Sequence, residues 1–132
     1  MIVVDASALL ELLLQTPLGT RVEARLFRDR DQFHVPHLAD VEVTQGLRRL
    51  ARAGELSPDR AADAIADLAD LDLHRHPHID LVTRAWTLRE NVTAYDAMYI
   101  ALAEALDAAI VTCDARLAKS PGHRAHVEVI RS

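Results

Sequence analysis

The sequence predicts an α/β fold, with a mainly parallel sheet and helices on both faces. Three observations carry this expectation. Short β-branched runs alternate with helix-length segments from Ile2 to Ile130. Cap and breaker residues fall where the pattern changes, at Pro17, Pro36, Gly54 and Ser57-Pro58. At 132 residues the chain fits a single domain over 1–132, with one proper core.

The elements follow in order. Ile2–Val4 is a continuous apolar run and reads as a buried strand. Ala6–Gln15 reads as a helix, polar only at Ser7, Glu11 and Gln15. Pro17 suits the start of a second helix, about Leu18–Arg30, with Val22, Leu26 and Phe27 on one face. Phe33–Val35 is a second strand, ended by Pro36. Leu38–Ala53 is a helix stopped by Gly54. Ser57 caps a helix that runs to about Ala69. Leu71–Arg75 is a candidate strand, and Ile79–Glu90 is an amphipathic helix containing Trp86. Ala94–Leu106 is a nearly all-apolar helix, followed by strands at Ala109–Cys113 and Val127–Ile130.

Composition excludes several classes. Half the residues are hydrophobic and 27% are charged, which is globular rather than disordered. The single cysteine, Cys113, rules out an internal disulfide framework and a cysteine-based zinc site. Asp5 interrupts the first apolar run and no basic segment precedes it, so no signal peptide is expected. No apolar run reaches the roughly 18 residues of a membrane helix, and a cytoplasmic protein is expected. Lys119 is the only lysine, which disfavours chemistry that needs a buried one. The net charge of −5 argues against a protein that coats nucleic acid through phosphate contacts.

The acids are the informative residues. Asp5 follows the first strand and Asp114 follows Ala109–Cys113. In open α/β sheets the carboxyl ends of the strands hold the ligands. Helix capping is the bland alternative for each aspartate, and both readings stand for either one alone. Asp96 lies in a helix that is apolar nearly all round, where an unpartnered carboxylate is costly. It needs a cation, an arginine or a wet cavity, unless it serves only the helix dipole. Glu42 lies beside the face marked by Leu38, Val41 and Gln45, while Asp40 reads as a first-turn acid. Four carboxylates in one cleft repel unless a cation neutralises them. Oxygen donors select Mg²⁺ or Mn²⁺, and such an ion can activate water and bind phosphate oxygens.

The ordered motifs resemble a known family. Asp5-Ala6-Ser7-Ala8-Leu9, Glu42, Tyr95-Asp96-Ala97-Met98-Tyr99-Ile100-Ala101-Leu102-Ala103 and Thr112-Cys113-Asp114-Ala115-Arg116-Leu117 look like those of PIN domains. The size and full-length coverage resemble the VapC toxins of bacterial toxin–antitoxin pairs. The resemblance implies a three-layer α/β/α domain around a central, mainly parallel sheet of four to five strands. It implies a divalent-metal-dependent ribonuclease, a VapB-type antitoxin as partner and a homodimer. Carried over by residue, Asp5, Glu42, Asp96 and Asp114 match the acidic quartet, with Asp5, Asp96 and Asp114 as metal ligands. Ser7 matches the supporting hydroxyl, and Thr112 is a further supporting candidate. Many relatives carry another acid soon after the last aspartate; here Arg116 stands two residues on. The alternative is a catalytically silent PIN-like module that binds RNA or protein.

Other features have plainer readings. Arg48, Arg49 and Arg52, with Arg116, are candidate RNA contacts, although a solvated helix face explains the first three equally well. His74, His76 and His78 have strand spacing but no acid or cysteine beside them, so solvated edge histidines are expected rather than a zinc site. His34 and His37 read as ordinary loop residues. Leu9, Leu10, Leu12, Leu13 and Leu14 exceed what one buried face needs, and suit either core or a partner groove.

Overall fold

The computed structural model describes all 132 residues. Five strands form, β1 (Ile2–Val4), β2 (Phe33–Pro36), β3 (Leu73–His76), β4 (Ala109–Thr112) and β5 (Val127–Val129). They pair in the order β3-β2-β1-β4-β5, with every pairing parallel. Val3 lies between His34 of β2 and Ile110 of β4, and Val4 lies opposite Val111. Ile2, Val3, Val4, Ile110 and Val111 are all buried, because helices cover both faces of a parallel sheet. Alternation would have left one face wet; the unbroken apolar runs are the sequence trace of this arrangement.

Seven helices surround the sheet: α1 (Ala6–Leu14), α2 (Pro17–Leu26), α3 (Leu38–Arg52), α4 (Pro58–Asp70), α5 (Val82–Thr87), α6 (Ala94–Leu106) and α7 (Ala115–Lys119). Helices α1 to α4 pack together as one layer, and α5 packs with α6 in the other, where α6 crosses β1, β2 and β4. Thr16 and Ser57 cap α2 and α4 by accepting the Gly19 and Arg60 N–H groups, each before a proline at the first helical position. Gly54 ends α3 with φ +74°, a conformation that favours glycine. A side chain at Gly19 would strike the Glu11 carbonyl, so this glycine is what lets α2 fold back on α1.

Some boundaries differ from expectation. Helix α2 ends at Leu26, not Arg30, and Arg30 takes φ +55° in the turn that follows. Leu71 caps α4 instead of opening a strand, so β3 begins at Leu73 and runs through His76. The segment expected as one helix over Ile79–Glu90 divides into a 3-10 turn (Ile79–Leu81) and the short α5. Helix α7 was not anticipated, being a five-residue helix capped by Asp114.

The topology fixes where a ligand belongs. From β1 the chain moves outward through β2 to β3, then returns to β4 and moves outward to β5 on the other side. The connections leaving β1 and β4 therefore diverge, which opens a crevice at their carboxyl ends. Asp5 and Asp114 sit at its two lips. No helix is long and apolar enough to cross a membrane.

The histidines correct one expectation. His34 is no loop residue; it lies in β2, 6% exposed, in register with His74. Its ring stacks on His74 at 4.7 Å, and its Nδ1 lies 2.8 Å from His76 Nε2. His78 departs from this row after Pro77 and meets His37 edge-on. No group of three or more His, Cys, Asp and Glu side chains is set as ligands to one ion. Burial lowers the His34 pKa from its ordinary 6.5, and the neighbouring His74 and His76 push the same way. Native His34 therefore resists a proton that the unfolded chain accepts, and its contribution to stability is lost as pH falls from about 6.5 towards the folded value. The urea midpoint should drop between about pH 7.5 and about pH 5.5, and a His34→Gln protein should lose less over the same interval. Equal losses in the two proteins would remove this histidine from the acid response.

Candidate active site

The cleft at the switch point has a volume of about 430 Å³. Asp5, Glu42, Asp96 and Asp114 all line it, although they are spread over 110 positions of chain. Glu11, Ser7, Cys113, Arg49 and Arg116 complete its polar lining.

Asp5 is 7% exposed and begins α1, yet its carboxylate makes no cap hydrogen bond to that helix. Its Oδ2 instead accepts from Ser7 Oγ at 2.7 Å and from Thr112 Oγ1 at 2.6 Å. Ser7 Oγ also accepts the Cys113 N–H, and Thr112 Oγ1 accepts the Asp114 N–H. Two hydroxyls thus tie the ends of β1 and β4 together around one carboxylate. The Asp5 side chain does not cap α1, and Ser7 and Thr112 are the two hydroxyls that bond it. Asp114 differs: its Oδ1 does cap α7 by accepting the Arg116 N–H at 3.0 Å. Arg116 also clasps it through the side chain, which holds the Asp114 carboxyl below the usual carboxylate range.

Asp96 occupies the first turn of α6, whose start is fixed by Thr93 Oγ1 accepting the Asp96 N–H. It is half-buried, and burial raises its pKa, with Asp5 and Asp114 adding to the rise while Arg116 and Thr93 oppose it. Glu42 projects from α3 and accepts a 2.7 Å hydrogen bond from the Tyr99 hydroxyl of α6. Burial again raises the Glu42 pKa; the Tyr99 bond lowers it, and Asp5 and Asp96 raise it further. Two acids on helices of opposite layers therefore feel each other across the end of β1.

Glu42, Gly46 and Arg49 follow one another at helical spacing along α3, and all three face the cleft. A Cβ at Gly46 would meet Leu10 Cδ2 at 2.9 Å, so a larger residue would make the Leu10 side chain shift. Arg49 and Arg116 are the two candidate arginines that line the cleft, whereas Arg48 and Arg52 lie exposed outside it. Leu9 and Leu13 are core, while Leu10 and Leu18 form an apolar wall of the cleft. Asp40 stays outside, paired with Arg75 at 2.8 Å as a first-turn acid.

Two participants and one contact were missed by the sequence reading. Tyr99 is fully buried, and its position three residues after Asp96 on α6 was the available signal. Glu11 is a fifth acid of the cleft, bonded by the Thr16 hydroxyl. The grip of Arg116 on Asp114 had no sequence signal beyond proximity.

The PIN domain family model matches residues 2–122. The chain belongs to the PIN-domain family. Ribonuclease VapC9 of Mycobacterium tuberculosis is 42% identical over 130 residues, covering 98% of each chain. Ribonuclease VapC12 of the same organism is 38% identical over 130 residues, covering 98% of this chain and 99% of its own. Among solved structures, the PAE2754 protein of Pyrobaculum aerophilum is similar with a TM-score of 0.70 and 26% identity, covering 97% of this chain and 83% of that one. The three-layer PIN architecture expected from the motifs is the architecture observed, with five strands, all parallel.

Removing the Tyr99 hydroxyl should be felt at Glu42 first. In Tyr99→Phe, the Glu42 carboxyl should titrate higher than in the parent protein, because the bond favouring its charged form is gone. Side-chain carbon NMR across a pH titration measures this directly, and an unchanged or lower Glu42 value would contradict the assigned bond.

Proposed function

We propose that this PIN domain is the toxin of a type II toxin–antitoxin pair and hydrolyses RNA phosphodiester bonds with a divalent cation, Mg²⁺ or Mn²⁺, bound in the acidic cleft. The observation that carries the reading is the convergence of Asp5, Glu42, Asp96 and Asp114 in one cleft at the switch point. The relatives named VapC ribonucleases, similar along nearly their whole length, support the substrate class.

The donor set suits such an ion. All four groups are carboxylates, the hard oxygen donors that Mg²⁺ and Mn²⁺ take. Burial and mutual repulsion raise Glu42 and Asp96, and a bound cation would reverse that penalty. Asp5, Asp96 and Asp114 are the assigned ligands, with Asp114 direct or through water. When bound, the ion would polarise the phosphodiester, acidify water and offset charge on the leaving oxygen.

The chain's own residues have separable tasks. Ser7 and Thr112 both bond Asp5 Oδ2 and leave Oδ1 free of their hydroxyls. Tyr99 holds Glu42, which would orient the attacking water or reach the ion through one. Arg49 and Arg116 are placed to take phosphate oxygens, positioning RNA without reading its sequence. Arg48 and Arg52 extend the basic character of α3 beyond the cleft. A VapB-type antitoxin is the assigned partner, and a basic side chain inserted among the acids would neutralise them. The working form is assigned as a cytoplasmic homodimer.

The silent-module alternative parts from this reading in a cleavage assay. Asp5→Asn and Asp96→Asn should each lower RNA cleavage by at least about 100-fold, and excess EDTA should abolish it until Mg²⁺ or Mn²⁺ is restored. Full activity in either variant or in EDTA would refute the mechanism.

A further inference from the structure

Arg116 is already engaged by an acid of the cleft. Its Nη2 lies 2.9 Å from Asp114 Oδ2, and its Nε lies 3.2 Å from Oδ1. The fork thus covers both carboxylate oxygens of a residue assigned to hold a cation. Its field also reaches Asp96, where it opposes the rise imposed by Asp5 and Asp114. Arg49, the other cleft arginine, is paired with no carboxylate and faces the cleft from α3.

The grip is built to be released. The Arg116 side chain is 89% exposed, against 27% for Asp114. Exposed ion pairs are weak and are screened by salt, so this one contributes little to holding the fold. The start of α7 does not need it, because Asp114 caps the helix through the Arg116 backbone N–H, which any residue supplies. What remains for the guanidinium is electrostatic: it offsets part of the charge of a crowded acidic cleft. A cation and the guanidinium fork compete for the same lone pairs of Asp114. Once released, the planar fork matches a phosphate as well as it matched a carboxylate.

We propose that Arg116 is a resident counter-ion of the cleft, one that must leave Asp114 for a divalent cation to bind and then grips an RNA phosphate. The inference rests on the cation-dependent ribonuclease reading above. It makes the side chain an antagonist of cation binding and an aid to substrate binding, so that loading the cleft frees the guanidinium from Asp114 when the cleft is ready for RNA. Arg116 is here a positioning residue for Asp114 before loading and a substrate contact after it.

Mn²⁺ titrated calorimetrically into the protein without RNA tests the first half. Arg116→Ala should bind Mn²⁺ about three- to tenfold more tightly than the parent protein, as loss of one weak competing pair allows. Arg116→Lys keeps the charge but not the fork, and should fall between the two. During a Mg²⁺ titration of the parent protein, the Arg116 Nε–H resonance should move with the same midpoint as Mg²⁺ binding. In steady-state cleavage at saturating Mg²⁺, Arg116→Ala should raise KM for RNA more than it lowers kcat. Equal Mn²⁺ affinity in the Ala and parent proteins would overturn the proposal while leaving the ribonuclease reading intact. So would a Lys protein indistinguishable from the parent, which would reduce the effect to net charge. Absence of saturable Mn²⁺ binding in the parent protein would instead refute the cation-dependent reading, and this proposal with it.

Discussion

Mutual repulsion among carboxylates at the carboxyl ends of β1 and β4 is the constraint on which the rest of the site depends. The fold brings Asp5, Glu42, Asp96 and Asp114 to one crevice, and burial removes water that would have screened them. Each acid is held by a different device. Asp5 has two hydroxyls, Glu42 a buried phenol, Asp96 a capped first turn, and Asp114 an arginine. These devices keep the groups in place but leave much of the negative charge unopposed. No three of the acids are set at the spacing of ligands to one ion.

The sheet supplies the rigidity that such an arrangement demands. Strands β1 and β4 are buried on both faces, paired in parallel, and joined at their ends through Ser7, Thr112 and the N–H groups of Cys113 and Asp114. An unpaired buried polar group costs about 1–3 kcal/mol, so Thr112, fully buried, is held to its bonds with Asp5 and Asp114. The wall opposite is a helix pair. Gly46 packs on the Leu10 side chain of α1, beside Glu42 and Arg49 in the cleft wall. Core packing and site geometry are therefore one problem in this molecule.

Much of this was legible in the sequence, and the limits have physical causes. Apolar-rich runs at Ile2–Val4 and Ala109–Cys113 marked the strands β1 and β4, and the aspartate after each lines the cleft. Asp96 stood out because a charge in an apolar helix needs a reason. Glu42 carried no such local signal, and its place came only through the resemblance of the ordered motifs. Tyr99 looked like core, because nothing in a sequence tells a buried phenol with a partner across the layers from one without. The segment after His78 misled for a related reason. Its amphipathic pattern is compatible with one long helix, and only packing decides that it breaks into a 3-10 turn and a short α5. His34 fell within the expected strand Phe33–Val35 yet was read as a loop residue; only the pairing of β2 with β3 shows that it stacks on His74. The charge of −5 is sharpened as well: the cleft lining, five acids against two arginines, carries a net −3 of it.

A cleft of repelling acids should be a site where stability has been given up for function. Thermal unfolding of the parent and Asp96→Asn proteins, each in EDTA and in Mn²⁺, tests that claim most directly. The account predicts that Mn²⁺ raises the melting temperature of the parent protein, since a ligand that binds only the folded state stabilises it. It predicts that Asp96→Asn melts higher than the parent in EDTA and gains little from Mn²⁺. An Asp96→Asn protein that melts lower in EDTA and responds to Mn²⁺ as the parent does would contradict it.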